Sequence, residues 1–376
     1  MRDPRLEKLA NVLVNYSTGV QAGDLVRIQG PPLGVPLIVE LYRAVLRAGG
    51  NPVVAMAPDE CTEIKLAEAG EAQLRFEDPL AQQAAETVDV SISMWGQENS
   101  KSLSRADPAR QALLSQGRKR YLATFMRRYA EGRLRWVGTQ FPCQSAAQDA
   151  EMSLAEYEDF VFRAGLLHLD DPAAAWREVS RRQQRVVEQL SGKREIRFVT
   201  PQGTDLRLGI EGRCWINCDG RLNFPDGEVF TGPIEDATEG VVCYSFPAVH
   251  GGREVHGVRL AFRAGKVVEA SAAKGEEFLI AMLDQDAGAR TLGEIAIGTN
   301  YSVRQYTKNT LFDEKIGGTF HAALGAAYPE SGGTNESALH WDMVCDLREG
   351  GQIFVDGQLL SENGRLLNPD FPQPEA

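Results

Sequence analysis

The sequence predicts two domains: an α/β N-terminal domain with a parallel sheet over residues 1–192, and an α+β C-terminal domain with a curved, mostly antiparallel sheet over residues 193–376. Three observations carry this reading. At 376 residues the chain is longer than one hydrophobic core usually serves. Up to about residue 190, strand-like runs alternate with helical periodicity, which implies parallel pairing and covered sheet faces. Beyond residue 193 the texture changes to short strands and turns.

Residues 5–20 read as an amphipathic helix. Asp24–Gly30 reads as a strand ending in a turn, and residues 33–48 as a helix closed by Gly49 and Gly50. Pro52–Met56, Val88–Met94 and Leu134–Thr139 supply three further strands. Gly30-Pro31-Pro32-Leu33-Gly34 lies between a strand and a helix, but it lacks both G-x-G-x-x-G spacing and the P-loop lysine. A proline-punctuated turn explains it better than a nucleotide cradle. A helix over 171–191, rich in Arg, Gln and Glu, leads into the second domain. There Glu195–Thr200, Asp205–Ile210 and Val241–Phe246 read as strands, and Gly257–Phe262 and Lys266–Ala270 flank Arg263-Ala264-Gly265 as a hairpin. Residues 275–286 and 310–327 read as helices, and the tail 368–376 as frayed.

Composition excludes several function classes. A net charge of −12 repels phosphate backbones and argues against a nucleic-acid partner. No apolar run approaches the length needed to span a membrane. The start, Met1–Glu7, is charged and lacks the apolar stretch of a signal peptide, so the sequence predicts a cytoplasmic protein. Its six cysteines are then expected as reduced thiols. Cys214 and Cys218 have no second closely spaced Cys/His pair, which favours buried thiols over a zinc ribbon.

The chemistry concentrates after residue 220. Only five histidines occur, so the setting of each can be weighed. His340 and Asp342 lie two apart in the strand-like run Ser337–Val344 and therefore share a face. An imidazole and a carboxylate so placed can bind one metal ion, and they can equally form a plain hydrogen-bonded pair. On a helix over 310–327, His321 and Tyr328 would align after two turns with Gly325 between them, leaving room for a metal cluster; a core histidine beside a packed tyrosine is the alternative. Glu228 follows a Pro225-Asp226-Gly227 turn onto an apolar strand. Glu294 is the only charge in Leu292–Asn300, and a lone carboxylate in such a run needs a cation or hydrogen-bond donors. Either glutamate alone also fits a structural turn role.

Together Glu228, Glu294, His321, Tyr328, His340 and Asp342 offer three carboxylates, two imidazoles and a phenol. One catalytic zinc takes about three protein ligands plus water, so six candidates imply two ions about 3.5–4 Å apart with a bridging carboxylate. Mixed nitrogen and oxygen donors without thiolate suit zinc, cobalt or manganese.

The segments Asn223–Pro233, Leu292–Asn300, Leu311–Tyr328 and Asn335–Asp342 resemble, in order and in ligand type, the aminopeptidase T/aminopeptidase S family, which includes aminopeptidase PepS. The resemblance implies a two-domain, homodimeric, dinuclear metallo-aminopeptidase acting on peptides with a free N-terminus. It also implies that Glu228, Glu294, His321, Tyr328, His340 and Asp342 hold the metal pair. Glu314, seven residues before His321, would share its face on a continuous helix, which makes it the candidate base or proton shuttle; an exposed helix-start glutamate is the alternative. Two other classes fit the same residues: a non-catalytic metal- or ligand-binding protein on this fold, and a different two-metal hydrolase.

Overall fold

The computed structural model describes residues 3–374. The chain divides into two compact units. One runs up to Ala173 and includes Gly220–Pro225; the other holds Ala174–Asp219 and the chain from Asp226 onward. The sequence reading put a single boundary at 192/193. The helix Pro172–Leu190 falls almost wholly in the second unit, because Val186, Val187 and Leu190 join that unit's apolar core. Segment 220–225 falls in the first because Asn223–Phe224 pairs with its sheet.

In the first unit β1 (Leu25–Gly30), β2 (Asn51–Met56), β3 (Val90–Trp95) and β4 (Arg135–Gln140) run parallel in the order β2-β1-β3-β4, and Asn223–Phe224 adds a fifth parallel strand beside β4. Helices between the strands cover the sheet, as a parallel arrangement requires. Several start at an Asp-Pro pair: Asp78 and Asp107 accept hydrogen bonds from Leu80 N and Ala109 N, with Pro79 and Pro108 in the first turn. The helix Val35–Arg47 buries Leu37, Ile38, Leu41, Ala44 and Val45. Its opposite stripe, Val35, Val39, Tyr42 and Leu46, is exposed, as are Val53, Val54 and Met56 on the edge strand β2.

The second unit is built on two antiparallel sheets. Eight strands between Glu195 and Leu366 form the larger. The smaller is a meander of β5 (Ile216–Cys218), β6 (Glu228–Thr231), β7 (Leu292–Gly298), β8 (Thr319–Gly325) and β9 (His340–Asp346), each paired to the next. Their apolar faces meet in one core, in which the Phe198 and Phe320 rings stack at 4.2 Å. No helix among the described residues is long and apolar enough to cross a membrane.

Two expectations are corrected. Residues 310–327 are not one helix: Thr310–Asp313 is a single helical turn, and Thr319–Gly325 is strand β8. Gly317 and Gly318 interrupt the helix, and Phe320, Ala322 and Leu324 then alternate into the core with period two. The alanine-rich composition of that stretch masks the alternation. The tail is also not frayed throughout, because Phe371 is buried and Gln373 donates to the Leu366 carbonyl at 2.8 Å; Glu375 and Ala376 lie outside the described residues.

Phe320 has no exposed surface. Phe320→Ala is expected to lower the unfolding free energy by about 3–5 kcal/mol in a denaturant titration; a loss below ~1 kcal/mol would contradict its place in the core.

Candidate metal centre

Strand alternation sorts the small sheet into an apolar face and a polar one. In the pairing register, Ala323 lies between Glu294 and Asp342, His321 between Ala296 and Val344, and Glu228 opposite Gly298. Facing residues share a side of the sheet. Glu228, Glu294, His321, His340 and Asp342 thus project from one face, while Val229, Ile295, Phe320, Leu324, Trp341 and Met343 project into the core.

Glu294 reaches that face through a bulge. The register shifts between Leu292 and Glu294, so Leu292 pairs with the core residue Leu324 while Glu294 pairs with Ala323. Without the extra residue Glu294 would follow Leu292 inward. Gly293 makes the bulge possible, since a Cβ there would sit 2.2 Å from the Ala326 carbonyl oxygen and 2.4 Å from that of Gly325. Gly325 was expected to leave room for a cluster. Its own reason is different: its φ is +98°, and a Cβ would lie 2.1 Å from the Leu339 carbonyl oxygen.

The two oxygens of Glu294 serve two imidazoles: Oε1 is 3.4 Å from His321 Nε2, and Oε2 is 3.4 Å from His340 Nε2. His321 Nε2 is also 3.6 Å from Glu228 Oε2, and His340 Nε2 is 3.4 Å from Asp342 Oδ2. Among the described residues four donor groups have ligand atoms within 4.8 Å of one another: Glu228–Glu294–His321, Glu294–His340–Asp342, Glu314–His321–Asp342 and, beside them, Cys218–Asp226–Glu228. The first two share Glu294. His340 Nδ1 donates to the Ala326 carbonyl at 2.9 Å, which fixes the ring and leaves Nε2 facing the carboxylates.

Electrostatics mark the site as cation-seeking. Burial opposes protonation of His321, yet the Glu294 hydrogen bond and the charges of Glu228 and Glu314 push its pKa up to about 9. Burial likewise opposes protonation of His340, but Asp342 and Glu294 push it up to about 11. Burial would raise Asp342, and its bond to His340 holds it well below the usual carboxylate range.

These residues fit a bound metal. Two ligand atoms held about 2.1 Å from one tetrahedral ion lie about 3.4 Å apart, and that spacing recurs between the imidazole nitrogens and the carboxylates. It is long for a hydrogen bond. Glu228 Oε2 and Asp342 Oδ1 are buried without a hydrogen-bond partner, and such atoms call for an explanation that an ion supplies.

Tyr328 follows β8 and caps the short turn Pro329–Ser331. Its ring lies edge-on to His340 at 5.2 Å and to Phe230 at 5.5 Å, and it is partly exposed at the rim. Its phenol is raised, first by burial and then by the charges of Glu294, Asp342, Glu314 and Glu228. Glu314 does not share a helix with His321, because the helical turn ends at Asp313. The loop into β8 nevertheless brings it to His321 and Asp342. Burial raises its carboxyl well above the usual range. The neighbouring Asp313 accepts from Thr307 N and Oγ1 at 2.7 and 2.9 Å, and burial pushes its pKa up to about 7.

Sequence reasoning missed Lys315, Asp226 and Gln183. Lys315 Nζ lies 2.6 Å from Glu228 Oε1, 2.7 Å from Glu314 Oε2 and 3.8 Å from Asp226 Oδ1. Fully buried Gln183 donates to Asn217 Oδ1 and to the Cys218 and Glu228 carbonyls, and accepts from Thr299 Oγ1, tying β5 to β6. Lys315 and Gln183 sit in stretches of ordinary helix-like polarity, which give no signal. Cys214, expected as buried, is exposed.

A family model described as thermophilic metalloprotease (M29) matches residues 2–364, and the chain belongs to that family of metal-dependent peptidases. Among relatives, it is 30% identical over 406 residues to Aminopeptidase T of Thermus thermophilus, covering 96% of this chain and 95% of that protein. It is 29% identical over 385 residues to Aminopeptidase 2 of Geobacillus stearothermophilus, covering 91% and 92%. The solved structure of wild-type AmpT from Thermus thermophilus superposes with a TM-score of 0.84 at 27% identity, over 97% of this chain and 99% of that one.

Gly293→Ala is expected to push the bulge apart and turn Glu294 out of register. The variant should melt at least several degrees lower and bind less divalent metal than the parent, measured by calorimetry and elemental analysis. Unchanged melting with full metal content would refute the role given to the bulge.

Proposed function

We propose that this protein is a metal-dependent aminopeptidase that hydrolyses the N-terminal peptide bond of peptides with a two-metal-activated water. The observation that carries the reading is the position of Glu294, one oxygen toward His321 and the other toward His340, which suits a carboxylate bridging two ions. Glu228, Glu294 and His321 would hold one ion, and Glu294, His340 and Asp342 the other, with Tyr328 completing the ligand set at the rim. The donor chemistry suits zinc, cobalt or manganese.

When bound, the ion pair supplies an acidified water and a Lewis acid for the scissile carbonyl. Glu314 takes the proton that water loses on attacking the carbonyl carbon. It returns that proton to the leaving amine nitrogen as the C–N bond breaks, so protons balance over the cycle. The acidic polar face also suits a free N-terminal amine, which would confine cleavage to terminal residues.

The proposal includes a cytoplasmic setting with neither nucleic acid nor membrane as partner; the net charge of −12 supports the exclusion of nucleic acid. It also includes a homodimer. The exposed stripe Val35, Val39, Tyr42 and Leu46 and the unpaired edge of β2 in the first unit support self-association.

Cleavage of free-amine aminoacyl amides, abolished by a chelator and absent for N-blocked peptides and phosphate esters, is the expected result. Metal retention with silence across that panel would favour a binding protein instead. Glu294→Gln should lose at least about a thousandfold in kcat/KM together with bound metal. Glu314→Gln should keep its metal and lose about 10²–10⁴-fold in kcat; near-full turnover would remove Glu314 from the mechanism. Light scattering should give twice 41.2 kDa, and a species at 41.2 kDa would rule out the dimer.

A further inference from the structure

Lys315 is among the most buried side chains of the protein, with 2% exposure. A buried ammonium is costly unless it is paired and hydrogen-bonded. Its three donors point into a nest of carboxylates: Glu228 Oε1 at 2.6 Å, Glu314 Oε2 at 2.7 Å and, further off, Asp226 Oδ1 at 3.8 Å. An ammonium has no lone pair, so Lys315 cannot itself be a ligand.

Its placement divides Glu228 in two. Oε1 belongs to Lys315, whereas Oε2 has no hydrogen-bond partner and lies toward His321 Nε2 at 3.6 Å. Lys315 therefore selects the oxygen that Glu228 turns to the site and ties that glutamate to Glu314. Charge points the same way. Asp226, Glu228, Glu294, Glu314 and Asp342 are five carboxylates in one cluster. One ammonium among them offsets part of that negative charge, and it lies within hydrogen-bond reach of two of the five.

We infer that Lys315 is a positioning residue that acts as a built-in cation: it holds the carboxylate nest together in the metal-free protein and opposes, by its charge, the ions that the nest binds. The inference rests on the two-metal reading of this site. Two linked consequences follow. Neutralising Lys315 leaves the metal-free protein with unbalanced buried charge, so its stability depends on metal far more than the parent's does. By reciprocity, metal binds the neutral variant more tightly, since a positive charge close to the ions has been removed.

The test is a thermodynamic cycle on the full-length protein, using zinc as the probe. Melting temperature is measured with and without zinc, and zinc affinity by competition with a chromogenic chelator. Lys315→Gln keeps hydrogen-bond donors but not the charge, and Lys315→Arg keeps the charge. The expected result for Lys315→Gln is a large drop in melting temperature without zinc, recovery of most of that drop with zinc, and zinc affinity at least about tenfold tighter than the parent. Lys315→Arg should stay near the parent on both axes. If Lys315→Gln folds only when refolded with zinc, the inference holds in its strongest form. Equal losses of melting temperature with and without zinc, zinc affinity equal to or weaker than the parent's, or a variant that stays unfolded even with zinc would overturn it. A parent protein that binds no divalent ion would instead overturn the two-metal reading, so the two failures are distinguishable.

Discussion

One carboxylate between two imidazoles organises this molecule. Glu294 sits on the middle strand of a five-stranded meander, and its two oxygens face His321 and His340 on the next two strands. A charge at that depth is tolerable only with opposite charge around it. The surroundings therefore follow from it: the bulge at Gly293 that aims it, the Ala326 carbonyl that fixes the His340 ring, and the small residues Ala296 and Ala323 that keep the polar face open. The apolar core behind the sheet is the other half of the same arrangement, because the alternation that presents the acids forward sends Phe320, Trp341 and Met343 back.

Legibility from the sequence tracks how local each signal is. The parallel strands of the first unit and the hairpin around Arg263-Ala264-Gly265 could be read because turns and short-period alternation are encoded within a few residues. His340 and Asp342 declared a shared face by their spacing, and Glu294 stood out as a lone charge among apolar residues. The structure brings these residues, with Glu228, His321 and Glu314, into one cluster. Strand β8 escaped because alanine, leucine and histidine at Phe320–Gly325 satisfy a helical pattern as readily as a strand; pairing with β7 and β9 settles it, and pairing is a non-local fact. Lys315 escaped for a similar reason. Next to Glu314 it reads as an ordinary surface pair, and only the fold drives it inward.

The two units answer to different constraints. In the first, the parallel sheet needs cover on both faces, yet one helix keeps an apolar stripe exposed and β2 keeps a free edge. In the second, two sheets close over each other and leave one polar face, on which the chemistry collects. Family membership and the likeness to the AmpT structure extend over nearly the whole chain, so both units belong to the inherited design.

The meander carries a further consequence for how the molecule is made. Slipping β8 by one residue against β7 would rotate His321 into the greasy interior and Phe320 onto the acids. Such a mispaired chain would be penalised twice, by a stranded ring and by an entombed imidazole. Correct assembly of the active surface is thus proofread by the interior on its reverse side, and molecules that reach the stable fold arrive with their chemistry already in alignment.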